Sequence, residues 1–203
     1  MVKDMIKNEE KISLLQSYFF RNGLLLCNRN KELPDIDSIG GDLNSIVTLI
    51  EQGDVFYSKL YKNRVSYLSR ELYYQIKPYK QRVQNLTAKS KEIFNFLEEN
   101  DIANTKIIKH ILMLSTNEFM TCMDELNKEL LVTAIRRDKT INANWISFCW
   151  GTFLQWEQLK PLPKIDFDVK RIKTLLLSIM SEKQINNLIK SIHERNGLNN
   201  GYI

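Results

Sequence analysis

The sequence is poor in the residues that usually carry chemistry. Its 203 residues include three cysteines (Cys27, Cys122, Cys149) and two histidines (His110, His193). The cysteines are odd in number, far apart and never in a CxxC pair. That excludes a disulfide framework and zinc spacing, and it fits free thiols in a reducing cytoplasm. Glycines number seven, and no P-loop, GxGxxG, HExxH or GxSxG occurs, so no cofactor and no metal are expected. Both histidines lie off the apolar stripes of their expected helices and read as solvated side chains rather than catalytic ones. Asp35 with Asp37, or Asp166 with Asp168, could hold a cation. They read better as an acidic loop and as helix caps. Long apolar runs are missing too: "LLLC" and "LLLSIM" fall far short of the ~18 residues a membrane span needs. The start, "MVKDMIKNEEK", has no apolar core of the kind a secretory signal carries, so the expected location is cytoplasmic.

What is present is the material of a folded domain. Hydrophobic residues make up 43% and charged residues 26%, enough for a core. The length fits one domain with appendages or two small ones. The net charge of +5 is unevenly spread. Between 59 and 91 stand Lys59, Lys62, Arg64, Arg70, Lys77, Lys80, Arg82, Lys89 and Lys91 against Glu71 alone, a local +8 that leaves −3 for the rest. Such a field attracts phosphate or acidic partners. The interleaved Tyr61, Tyr67, Tyr73, Tyr74 and Tyr79 suit stacking on bases or packing beneath lysine stems.

Periodicity predicts a mainly helical chain with small β-hairpins. Ile12, Leu15 and Phe19 mark a helix from 8 to 22, stopped at Gly23. Asp42 caps a helix with the stripe Leu43, Ile46, Val47 and Ile50, closed by Gly53. "DVFYSKL" and "RVSYLS" suit a short strand pair, and Ser69 caps a helix to about Lys77. Thr87 opens a helix to about Asn100 with Ile93, Phe96 and Leu97 inward. Asn104 or Thr105 opens another, with the stripe Ile107, Ile108, Ile111 and Leu112. Ser115 and Glu118 form a capping box, followed by Phe119, Cys122, Met123 and Leu126 at i, i+3, i+4, i+7. "LLVTAIR" then reads as a strand and "RDKT" as its turn. "NWISFCWGTFLQWEQL" reads as a short strand or loop leading into a helix. Two more helices are expected, 168–180 and 181–195, the second opened by a Ser181–Gln184 capping box. The implied architecture is a winged helix-turn-helix core over 85–160, an N-terminal α/β segment over 1–84 and C-terminal helices over 161–203.

For such a module, duplex DNA is the natural partner, and the third helix would present Asn117, Thr121, Asp124 and Lys128. Asn117 suits adenine, and Thr121 suits a base or a phosphate. The charge of the module is a difficulty: from Asn100 to Lys139, six basic residues face six acidic ones. Phosphate neutralisation supplies most non-specific affinity. The grip is therefore expected from Lys59, Lys62, Arg64, Arg70, Lys77, Lys80 and Arg82. Lys128 and the wing residues Arg136, Arg137 and Lys139 would assist.

The order "DVFYSKLYKNRVSYLSRELYYQIKPYKQR", "LTAKSKEIFNFLEEN", "STNEFMTCMDELNKELLVTAI" and "NWISFCWGTFLQWE" resembles the bacterial AlkZ-related winged-helix proteins, relatives of AlkZ/YcaQ-type DNA glycosylases. The resemblance spans roughly 15 to 195 and implies winged-helix modules, association with DNA and a link to DNA repair. Active glycosylases of that group use a Gln-x-Gln or Gln-x-Asp motif. Neither occurs here, "QRVQ" has the wrong spacing, and Gln155-Trp156-Glu157 is a near match only. No catalytic residue is carried over. Three readings follow: a non-catalytic DNA-binding protein, a winged helix used for protein–protein contact, and a glycosylase acting on alkylated bases.

Overall fold

Short polar side chains start most of the helices in the computed structural model, which describes residues 2–81, 83–142, 145–160 and 168–193. Asp42 accepts from Ser45 N–H at the start of α2 (Leu43–Glu51), and Ser69 accepts from Leu72 N–H at α3 (Arg70–Ile76). Thr87 and Asn104 do the same for α4 (Ala88–Glu99) and α5 (Thr105–Ile111). The expected Ser115–Glu118 capping box is complete at α6 (Thr116–Lys128). Thr152 and Gln155 form another at α7 (Phe153–Leu159). Each satisfies backbone N–H groups that the first helical turn leaves without partners. α1 (Val2–Asn22) precedes these, and α8 (Val169–Leu176) and α9 (Glu182–His193) follow. α8 is shorter than its expected span, and residues 194–195 of the expected last helix lie outside the described residues.

Two small antiparallel sheets complete the described residues. The first has β3 (Ser66–Ser69) between β1 (Leu24–Leu26) and β2 (Val55–Ser58). The second has β6 (Trp145–Thr152) between β4 (Ala103–Asn104) and β5 (Val132–Asn142). From α4 onward the order is helix, strand, helix, helix, strand, strand. The result is a mixed α/β protein, mainly helical.

Three local expectations need correction. "RDKT" is not a turn, because β5 continues through it to Asn142 with three register irregularities against β6. The outer strand is polar because it is exposed, and the bulges break the two-residue alternation that would have marked it. On α5 only Ile108 is buried, while Ile107 and Ile111 are 46% and 53% exposed. On α4 Phe94 is more deeply buried than the expected Phe96.

Two apolar clusters hold the elements together. One joins Leu15, Ile46 and Tyr67 to Ile93, Phe119, Leu126 and Trp150. The other joins Phe56, Leu68 and Tyr73 to Trp156, Leu176 and Leu188. Both draw on residues before and after position 85. Trp156 is fully buried; its ring stands edge-on to Phe56 and Tyr73, and its indole N–H donates to Val55 O at 3.2 Å. The two sheets are tied through Thr133, whose hydroxyl accepts from Tyr57 N–H and donates to Tyr57 O.

Candidate nucleic-acid interface

The capping box that starts α6 leaves Asn117 and Thr121 exposed, with Phe119, Cys122, Met123 and Leu126 beneath them. The acidic groups of α6 are all engaged. Asp124 accepts from the Lys59 ammonium, Glu118 from Lys89, and Glu129 from Lys80 at 3.3 Å. Glu125 accepts from the Ser90 hydroxyl and from the Thr87 hydroxyl and N–H. Lys89, with Ser115 adding its own hydrogen bonds, holds the Glu118 carboxyl down to about 2. The folded-state value is depressed. The stabilisation from this contact is therefore complete above the ordinary carboxylate range and is lost as pH falls through about 2. Burial opposes ionisation of Glu125, and the Ser90 and Thr87 hydrogen bonds outweigh it, so that carboxyl is also lowered.

The same contacts determine what becomes of the basic segment. Lys62 pairs with Glu32 at 2.7 Å, and Lys77 pairs with Glu157 at 2.5 Å. Arg64 donates to Arg29 O. Two expected phosphate contacts lie inside the protein. Arg70 is 7% exposed, donates to Gly53 O and Glu157 O, and stacks over the Trp156 ring. Lys80 is also 7% exposed. A guanidinium needs acceptors once it loses water. Two backbone carbonyls engage the Nη groups and the Trp156 face stacks on the charge, while the buried Nε–H has no hydrogen-bond partner among the described residues. Arg82 lies outside the described residues. Of the tyrosines, Tyr61, Tyr67 and Tyr73 are core residues, with Lys62 over the Tyr61 ring and Arg70 and Lys77 over Tyr74.

The β5–β6 hairpin carries a different set of charges. Arg136 and Lys139 are exposed and, among the described residues, form no ion pair. Arg137 donates through Nη1 to Thr140, and its backbone N–H donates to Glu51. Asp138 accepts from Asn104 and Ser147. These basic residues lie along the outer half of β5 rather than at a tip. On α5, Lys106 is exposed and has no ion pair among the described residues, Lys109 donates to Thr116, and His110 is exposed. Lys128 ends α6, half-buried and unpaired among the described residues.

Gln155 and Glu157 do not converge. The Gln155 amide caps α7 and donates to Leu97 O and Asn100 O, both at 3.0 Å. Glu157 accepts from the Tyr73 hydroxyl at 2.6 Å and from Lys77. Both head groups are engaged by the protein itself. Asp35 is buried, and its carboxylate accepts from Ser38 N–H. Asp168 caps α8, and Asp166 lies outside the described residues. No cluster of three or more metal-binding side chains occurs among the described residues. Among them, too, no helix is long and apolar enough to cross a membrane.

Fold and surface together define a mainly helical α/β protein with a charge-compensated helix beside a basic hairpin. The chain belongs to the AlkZ-related family, whose model matches residues 47–193. No curated protein and no solved structure matches it significantly.

Proposed function

We propose that the chain is a non-catalytic protein that binds duplex DNA through a winged helix over 87–152, in connection with DNA repair. The element order and the sheet order β4–β6–β5 support the winged-helix reading. The observation that carries the DNA reading is the charge pairing on α6. With Glu118, Asp124, Glu125 and Glu129 engaged by residues from 59–90, the helix no longer opposes a phosphate backbone. Arg136, Lys139 and Lys106 then form no ion pair among the described residues, and Asn117 and Thr121 are exposed on α6. In this reading Lys59, Lys80 and Lys89 neutralise α6, and the hairpin, assisted by Arg137, supplies the phosphate contacts.

Fluorescence anisotropy of a labelled duplex against salt concentration tests the proposal. Each phosphate contact contributes about −0.9 to the slope of log affinity against log salt. Changing Arg136→Ala and Lys139→Ala together should flatten the slope by nearly two, and Lys62→Ala should leave it unchanged. Absence of binding at about 50 mM salt, or a flat slope, rejects the proposal. A second reading, a winged helix that docks a protein, is favoured by the exposed Ile107, Ile111, Met113 and Met120 on and between α5 and α6. A chain that ignores DNA yet sediments as a concentration-dependent oligomer would support it.

A further inference from the structure

Away from the hairpin, α9 and the loop joining β2 to β3 enclose a cleft of about 350 Å³, within the size range of small-molecule sites. Its apolar lining comes from Leu60, Tyr61, Leu188 and Ile192, all buried. Its polar lining has one sign: Lys62, Lys80 and Lys128 are present, and no carboxylate lines it among the described residues. We infer that this cleft binds a small phosphate monoester with an apolar body.

The three lysines come from different parts of the chain and differ in state. Lys62 is held by Glu32 and Lys80 by Glu129, neither of which lines the cleft. Lys80 has a side chain only 4% exposed, and its ammonium stands 3.3 Å from the Glu129 carboxylate. Lys128 has no ion pair among the described residues and is available to a ligand outright.

The amides add donors. The Gln184 oxygen already accepts from Ser181 N–H and Oγ–H at 2.8 and 2.9 Å, so its NH₂ group remains for a ligand. Asn187, one turn further along α9, also lines the wall. Several cationic and amide donors around an apolar floor match the charge and three acceptor oxygens of a phosphate monoester better than the two oxygens of a carboxylate. The floor demands that the ester carry an apolar group.

Isothermal titration of the full chain with phenyl phosphate, inorganic phosphate and benzoate tests the inference, with no DNA present, so its failure leaves the DNA-binding proposal standing. Phenyl phosphate should bind saturably at one site, at least tenfold tighter than either of the others. Lys128→Gln should weaken it about tenfold with an unchanged unfolding midpoint, as expected for one lost charge-assisted hydrogen bond. Asn187→Ala should weaken it less. No saturable heat up to about 5 mM, a weak limit for a site of this kind, would overturn the inference. So would equal affinity in Lys128→Gln, or inorganic phosphate binding as tightly as phenyl phosphate.

Discussion

Among the described residues four helices end on a left-handed residue: α1 on Gly23 at φ +71°, and three others whose end side chains differ. At the end of α2, Gly53 sits at φ +71°, with Gly53 N–H donating to Ile50 O and Asp54 N–H to Leu49 O. α5 ends with the same pair of bonds, Met113 N–H to His110 O and Leu114 N–H to Lys109 O, but the left-handed position is Met113 at φ +49°. At the end of α6 the left-handed residue is Leu130 at φ +57°. The Gly53 stop was legible in the sequence because glycine is the usual residue there. The other two stops were not, because nothing in a methionine or a leucine announces a left-handed backbone. Leu130 is fully buried and its packing offsets the strain, whereas Met113 is 91% exposed and gains nothing comparable. A side chain in this region costs about 1–2 kcal/mol, and the greater freedom of glycine in the unfolded chain returns part of that. Met113→Gly should therefore stabilise the protein by about 0.5–1 kcal/mol. Urea unfolding should show a higher midpoint with an unchanged slope.

At the scale of elements, the helices and their caps were the legible part. Asp42, Ser69, Thr87, Asn104, Ser115 and Asp168 all cap where the sequence places them. Periodicity reports that a helix has an apolar face, not that a neighbour covers it, and so Ile107 and Ile111 were expected inside. The partners of charged side chains were equally hidden, since Lys59 and Asp124 lie 65 residues apart and Lys80 and Glu129 lie 49 apart. A segment with a local +8 looked like a surface field, and much of it instead fastens α6 and α7. This assignment separates two lysines that the sequence treats alike. Lys80→Ala would remove the ammonium that stands 3.3 Å from the Glu129 carboxylate, whose side chain is 16% exposed. Breaking a fully buried pair costs about 3–5 kcal/mol, and the partial exposure of Glu129 reduces the expected loss to about 2–3 kcal/mol. Lys62→Ala removes an exposed pair that water screens, so its unfolding curve should overlay that of the unaltered chain. Chemical denaturation of the two variants side by side checks the contrast.

Across the whole molecule, the least legible feature is how distant stretches of the chain close on one another. β1 pairs with β3 across some forty residues of loop and helix, and the Trp156 indole reaches Val55 O across 101 positions. Periodicity gives no information at those separations, so the sequence left open whether 1–84 folds apart from the rest. The packing mixes the two stretches. Leu15, Ile46 and Tyr67 share a cluster with Ile93 and Leu126, and Phe56 and Tyr73 share another with Trp156 and Leu188. Neither 1–84 nor 85–160 encloses its own apolar residues, and separating them would expose both clusters. Stretches that share their cores in this way should unfold in one step. Far-ultraviolet circular dichroism reports mainly on the helices, and tryptophan fluorescence on Trp150 and Trp156 in the shared interior. The two should give coincident urea transitions. Trp156→Ala would open a cavity at the point where α7 meets the first sheet, a change that costs about 3–5 kcal/mol. If the cores are shared, that loss must appear equally in both signals. A fluorescence transition that moves while the helical signal stays in place would mean that the stretches unfold separately.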